Sequence, residues 1–82
     1  MSRDQIMDNL QDIYREVFDD EEMLLSEEMT EYDIEEWDSL AQIRIIVAVE
    51  KQFKIKIPAQ EWQKLTNIGK MVDLIDERIR NK

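Results

Sequence analysis

Asp38, Ser39 and Leu40 form a short string in which a hydroxyl follows an acid and opens an apolar run. A serine becomes a hydrolytic nucleophile when a neighbouring base takes its proton. This sequence holds no histidine and no Gly-x-Ser-x-Gly elbow, so Ser39 is not read as one. It holds no cysteine either, which removes thiolate chemistry, disulfides and the usual zinc sites. No catalytic residue and no metal ligand set is assigned, and the chain is not expected to be an enzyme. Two uses remain for the serine. Ser39 followed by Gln42 fits a capping box, in which case removing the hydroxyl costs about 0.5–2 kcal/mol of stability. A hydroxyl in the first turn of a helix also stands where free backbone N–H groups and the positive end of the dipole favour an attached phosphate.

The run after the serine has more apolar residues than one buried face absorbs. Advancing about 100° per residue from Leu40, the residues Ile45, Ile46, Val49 and Phe53 fall between roughly 140° and 240°, an ordinary core stripe. Leu40, Ile43 and Val47 fall between roughly 300° and 360°, a second strip edged by Arg44 and Lys51 on one side and Glu50 on the other. An exposed apolar patch rimmed by charge is the signature of a docking surface. The residues assigned to that surface are Leu40, Ile43, Arg44, Val47, Glu50 and Lys51.

The elements that must position this helix follow from periodicity. Ser2 and Gln5 form a capping-box pattern, and Ile6, Leu10, Ile13 and Val17 repeat at helical spacing, which predicts a first helix from about Arg3 to Phe18. Asp19 to Asp38 shows no sustained period and reads as a long loop, pinned to the core by Met23, Leu24, Leu25, Met29, Ile34 and Trp37. Its DDEE run lacks the spacing and glycine of a calcium loop. Ser39 to Phe53 is too long for a typical strand and reads as helix. Pro58 ends the FKIKIP loop, and AQEWQKL forms a short turn or helix with Trp62 and Leu65 inward. Thr66 or Asn67 caps a last helix that places Ile68, Met71, Val72, Ile75 and Ile79 on one face. The expectation is one all-α domain over residues 1–82, with three main helices and one minor one.

Composition bounds the partners. The net charge is -9, and residues 19–38 carry eleven acids and no base, whereas residues 39–82 carry nine bases and five acids. An acidic chain lacks the cations that a phosphate backbone requires, so nucleic acid is not expected as a partner. No apolar run approaches the roughly 18 residues of a membrane span, and the polar N-terminus has no signal-peptide core. The expectation is a cytoplasmic monomer without membrane attachment.

At Trp37-Asp38-Ser39-Leu40, followed by the apolar helix, the run Glu50-Lys51-Gln52-Phe53-Lys54-Ile55-Lys56-Ile57-Pro58 and then Thr66-Asn67-Ile68-Gly69, the sequence resembles the acyl carrier protein family. The resemblance extends from the first helix to about Ile79 and is best from Thr30 to Gly69. It implies an acyl-carrier-protein-like four-helix bundle in which Ser39 is esterified by 4'-phosphopantetheine transferred from coenzyme A. It also implies that Asp38 helps organise the Mg²⁺-dependent transfer and that Leu40 belongs to the modification motif. The cofactor's thiol would then carry acyl groups as thioesters, supplying the sulfur that the chain lacks. The implied partners are a phosphopantetheinyl transferase and the acyl-loading and acyl-transfer enzymes of a biosynthetic pathway.

Two departures from the housekeeping fatty-acid carriers stand out. Trp37 occupies a position where those carriers usually have a small residue, and the string from Thr30 to Leu40 looks more like carriers of dedicated pathways. Arg44 and Lys51 interrupt the acidic surface that such carriers display on this helix, so fatty-acid synthase enzymes should fit it poorly. An aminoacyl carrier, or an acidic helical adaptor without cofactor, are the alternative readings. A cavity for a long acyl chain would be lined by residues such as Ile46, Val49, Ile57, Leu65 and Ile75, which any core would also contain.

Overall fold

The computed structural model describes residues 1–81. Four α-helices lie among them: α1 over Arg3–Val17, α2 over Ser39–Phe53, α3 over Ala59–Trp62 and α4 over Ile68–Arg80. The expected all-α bundle, with three long helices, one short helix and a long first loop, is the fold adopted.

Each long helix starts where its cap chemistry dictates. At α1 the Ser2 hydroxyl accepts from the Gln5 N–H at 3.2 Å while the Gln5 side chain accepts from the Ser2 N–H at 2.8 Å, a complete capping box. The helix runs one residue shorter than expected: Phe18 is its cap, and Asp19 turns the chain away in the left-handed region at φ 51°. Of the two candidate caps of α4, Asn67 takes the role, its side-chain oxygen accepting from the Lys70 N–H at 2.8 Å. At the far end of α2, Lys54 adopts the left-handed conformation at φ 57° and its N–H closes back on the Glu50 carbonyl.

α1 packs against both α2 and α4. Ile6, Leu10, Ile13 and Tyr14 of α1 meet Ile45, Ile46, Val49 and Phe53 of α2 and Ile68, Met71, Val72 and Ile75 of α4 in one core, with Ile79 only half-buried. The predicted α2 core stripe is therefore the buried one. Tyr14 is fully enclosed, with its hydroxyl 3.9 Å from the Met71 sulfur. Burial pushes its phenol well above the usual tyrosine range, because ionisation would place a charge in an apolar interior. The unfolded chain can ionise at about pH 10 and the folded one cannot, so stability is full below that pH and falls above it.

The first loop is held more firmly than its apolar residues alone would hold it. Ile34 and Trp37 are buried, and Met23, Leu25 and Met29 pack partly against the core, as expected. Leu24 does not: it is 73% exposed, because its neighbours Met23 and Leu25 take the inward positions. Polar stitches complete the attachment. The Arg15 side chain donates to the Met23 carbonyl at 2.8 Å, and the Gln11 side chain accepts from the Leu25 N–H at 2.9 Å. The first N–H groups of α4, on Ile68 and Gly69, donate to the loop carbonyls of Met29 and Glu27, each at 2.9 Å. A Cβ on Gly69 would stand 3.2 Å from the Glu27 carbonyl oxygen, so the absence of a side chain lets the loop lie against the helix start. The loop also contains a 3-10 turn at Glu31–Asp33, capped by Thr30, that the aperiodic sequence did not announce.

Candidate functional site at the start of helix α2

Ser39 is the first residue of α2 and is exposed. The cap of this helix is Asp38, whose Oδ1 accepts from the Ala41 N–H at 2.8 Å. The capping-box reading of Ser39 with Gln42 is thus corrected. An aspartate in the extended conformation reaches the helix N–H groups first, and the Gln42 side chain instead accepts from the Trp37 indole N–H at 2.7 Å. The Ser39 hydroxyl has no hydrogen-bond partner among the described residues. The serine has no structural task in the helix that it begins.

The residues around it are fixed from below. Trp37 is buried and packs edge-on against Tyr14, ring centroids 5.2 Å apart at 85°, while its N–H holds Gln42 one turn along α2. This clamp ties the segment before Ser39 to α1 and α2 together. The backbone N–H groups of Ser39 and Leu40 remain without acceptors among the described residues, at the positive end of a 15-residue helix. An exposed hydroxyl beside free donors fits a phosphate ester on donor chemistry alone.

The second strip of α2 lies open. Leu40 is 58%, Ile43 45% and Val47 56% exposed. Arg44 and Lys51 are exposed beside them, and neither is in an ion pair among the described residues. Glu50 stands differently from its expected company. It is half-buried, and its Oε2 accepts from the Ile57 N–H at 2.8 Å, so this carboxylate also holds the segment that follows α2. The periodicity of α2 could not show that bond, because the partner is a backbone amide seven residues away. The structure therefore brings Asp38, Ser39, Leu40, Ile43, Val47, Arg44 and Lys51 to one exposed face and sets Glu50 at its edge.

The all-α bundle thus presents an exposed, unbonded serine at the positive end of its second long helix, where the donors suit a serine-linked phosphate group. Comparison with known proteins agrees. The family model of the phosphopantetheine attachment site matches residues 6–75. The chain is 31% identical over 75 residues to the acyl carrier protein of Acidothermus cellulolyticus, covering 92% of this chain and 89% of that one. It is 38% identical over 40 residues to the acyl carrier protein of Helicobacter pylori, covering 49% of this chain and 51% of that one. Among solved structures, the solution structure of the holo acyl carrier protein of Geobacter metallireducens superposes with a TM-score of 0.87 at 41% identity, covering 93% of this chain and 87% of that one. The chain belongs to the acyl carrier protein family, and its cofactor is covalently attached 4'-phosphopantetheine. That group supplies a thiol on a flexible arm, which carries acyl groups as thioesters. No helix among the described residues is long and apolar enough to cross a membrane.

Proposed function

We propose that Ser39 is the attachment residue and that the chain presents acyl intermediates to the enzymes of a dedicated pathway, without catalysing a step itself. The observation that carries this reading is the idle, exposed Ser39 hydroxyl next to a cap supplied by Asp38. In the modification, the serine oxygen attacks the phosphorus that bears the pantetheine arm of coenzyme A. The pyrophosphate P–O bond breaks, adenosine 3',5'-bisphosphate leaves, and the hydroxyl proton passes to a base of the transferase. Asp38, whose Oδ1 holds the cap and whose Oδ2 has no partner among the described residues, would help to hold the Mg²⁺ of that reaction.

Docking is assigned to Leu40, Ile43 and Val47, with Arg44 and Lys51 choosing the partner by charge and Glu50 at the edge. Two unpaired cations on that face favour partners that carry acids there, which supports a specialised pathway over bulk fatty-acid synthesis. Intact mass spectrometry after incubation with coenzyme A, Mg²⁺ and a broad-specificity phosphopantetheinyl transferase tests the attachment. One added phosphopantetheine on the wild type and none on Ser39→Ala is the expected result. Elongation on the loaded chain by fatty-acid synthase enzymes at the rate of their own carrier would overturn the specialised assignment.

A further inference from the structure

A half-open trough of about 690 Å³ runs between the 3-10 turn of the first loop and the α3–α4 segment, and Trp37 and Gln42, which flank Ser39, form part of its wall. Its other principal walls are Glu31, Tyr32, Trp62, Leu65 and Asn67. Ser39 lies between Trp37 and Gln42 in the chain, so an arm anchored there starts beside the wall they form. The aromatic walls are preset: the Trp37 N–H is held by Gln42 and the Trp62 N–H by the Ile57 carbonyl at 2.9 Å, so neither indole needs a partner from a ligand. Tyr32 is 90% exposed on the outer lip. The amide NH₂ groups of Gln42 and Asn67 have no acceptor among the described residues. Glu31 is the one charged group of the lining, it has no ion-pair partner among the described residues, and no cation lines the trough.

These properties discriminate between cargo classes. A long hydrocarbon chain would find Leu65 and the indole faces but would lie against the unmatched amides of Gln42 and Asn67 as well, or would have to part Ile46, Val49 and Ile75, all of which are closed to solvent. A carboxylated acyl group would face Glu31 with no cation to meet it. A protonated amine meets both a free carboxylate and the faces of aromatic rings, which attract cations through their quadrupoles. Resting on the carrier reading above, we infer that this trough holds the acyl end of the cargo and that the cargo it fits is a short acyl group bearing a protonated amine.

β-Alanyl and butyryl thioesters differ by an ammonium in place of a methyl and are otherwise isosteric. Apo chain is loaded from β-alanyl-coenzyme A and from butyryl-coenzyme A with a broad-specificity transferase, and intact mass confirms each product. Cleavage by hydroxylamine at neutral pH is then timed and divided by the rate for the same thioester on coenzyme A. The β-alanyl carrier is expected to be protected about two- to five-fold and the butyryl carrier hardly at all. Glu31→Gln, a change at an exposed and unbonded side chain, is expected to erase most of that protection, and cargo methylene protons should show nuclear Overhauser contacts to the Trp62 indole. Equal protection of the two cargoes, stronger protection of butyryl, or indifference to Glu31→Gln overturns the inference and leaves the carrier reading intact. Failure of both thioesters to add mass to folded protein overturns both.

Discussion

The two apolar strips of α2 are built from the same residue types within one helix, yet Ile45, Ile46 and Val49 are closed to solvent while Leu40, Ile43 and Val47 are roughly half exposed. The difference lies in what stands opposite. α1 packs on the first strip, and Ile68, Met71, Val72 and Ile75 of α4 join the same core. The second strip stays open to solvent and is edged by exposed cations instead. One strip answers to the stability of the fold, and the other is the one proposed above to meet partners. Side-chain hydrophobicity alone does not separate these roles, because burial on folding is what turns apolar area into stability.

The sharpest way to test that division is at the helix start, where function and stability should separate completely. Ser39→Ala should abolish modification by the transferase, read by intact mass, while the urea midpoint hardly moves, since Asp38 holds the cap. A loss of about 1 kcal/mol or more in Ser39→Ala would show that the serine shares the capping role after all. On the buried strip, Ile46→Ala should cost about 2–5 kcal/mol in chemical denaturation, because its side chain is enclosed and a cavity is left behind. Asp38→Ala should cost less, about 0.5–2 kcal/mol, and slow modification as well, because that carboxylate serves both the cap and the motif. On the exposed strip the double change Leu40→Ser and Val47→Ser should leave stability within about 0.5 kcal/mol while slowing transferase modification several-fold. If that double change instead destabilised the chain as much as Ile46→Ala, the two strips would not have separate roles.

Much of this was legible in the order of residues. The bounds of α2, its core stripe and its exposed strip follow from a period of about 3.6 residues, since turning through space at a fixed angle is a local property of the chain. The cap Ser2 was legible for the same reason, and the α4 cap was narrowed to Thr66 or Asn67: the partners of Ser2 and Asn67 lie three residues away. Ser39 is singled out by its neighbours and by family resemblance, and of the two uses open to it the capping one falls to Asp38. Two adjacent residues could each cap α2, and the choice depends on which oxygen the backbone carries to the Ala41 N–H.

Sequence by itself determined the helices, the acidic first loop, the lack of any thiol or imidazole and the place of the serine at a helix start. Tertiary structure alone decided that Trp37 would stand on Tyr14 and hold Gln42, and that Glu50 would turn to the Ile57 amide. It also decided that Leu24 would face outward and that the loop would seal the first turn of α4. The physical reason is range. Helical period and capping act over three or four residues, whereas these contacts depend on segments that only the packed core brings together, and their carbonyl and amide partners carry no signature in residue type.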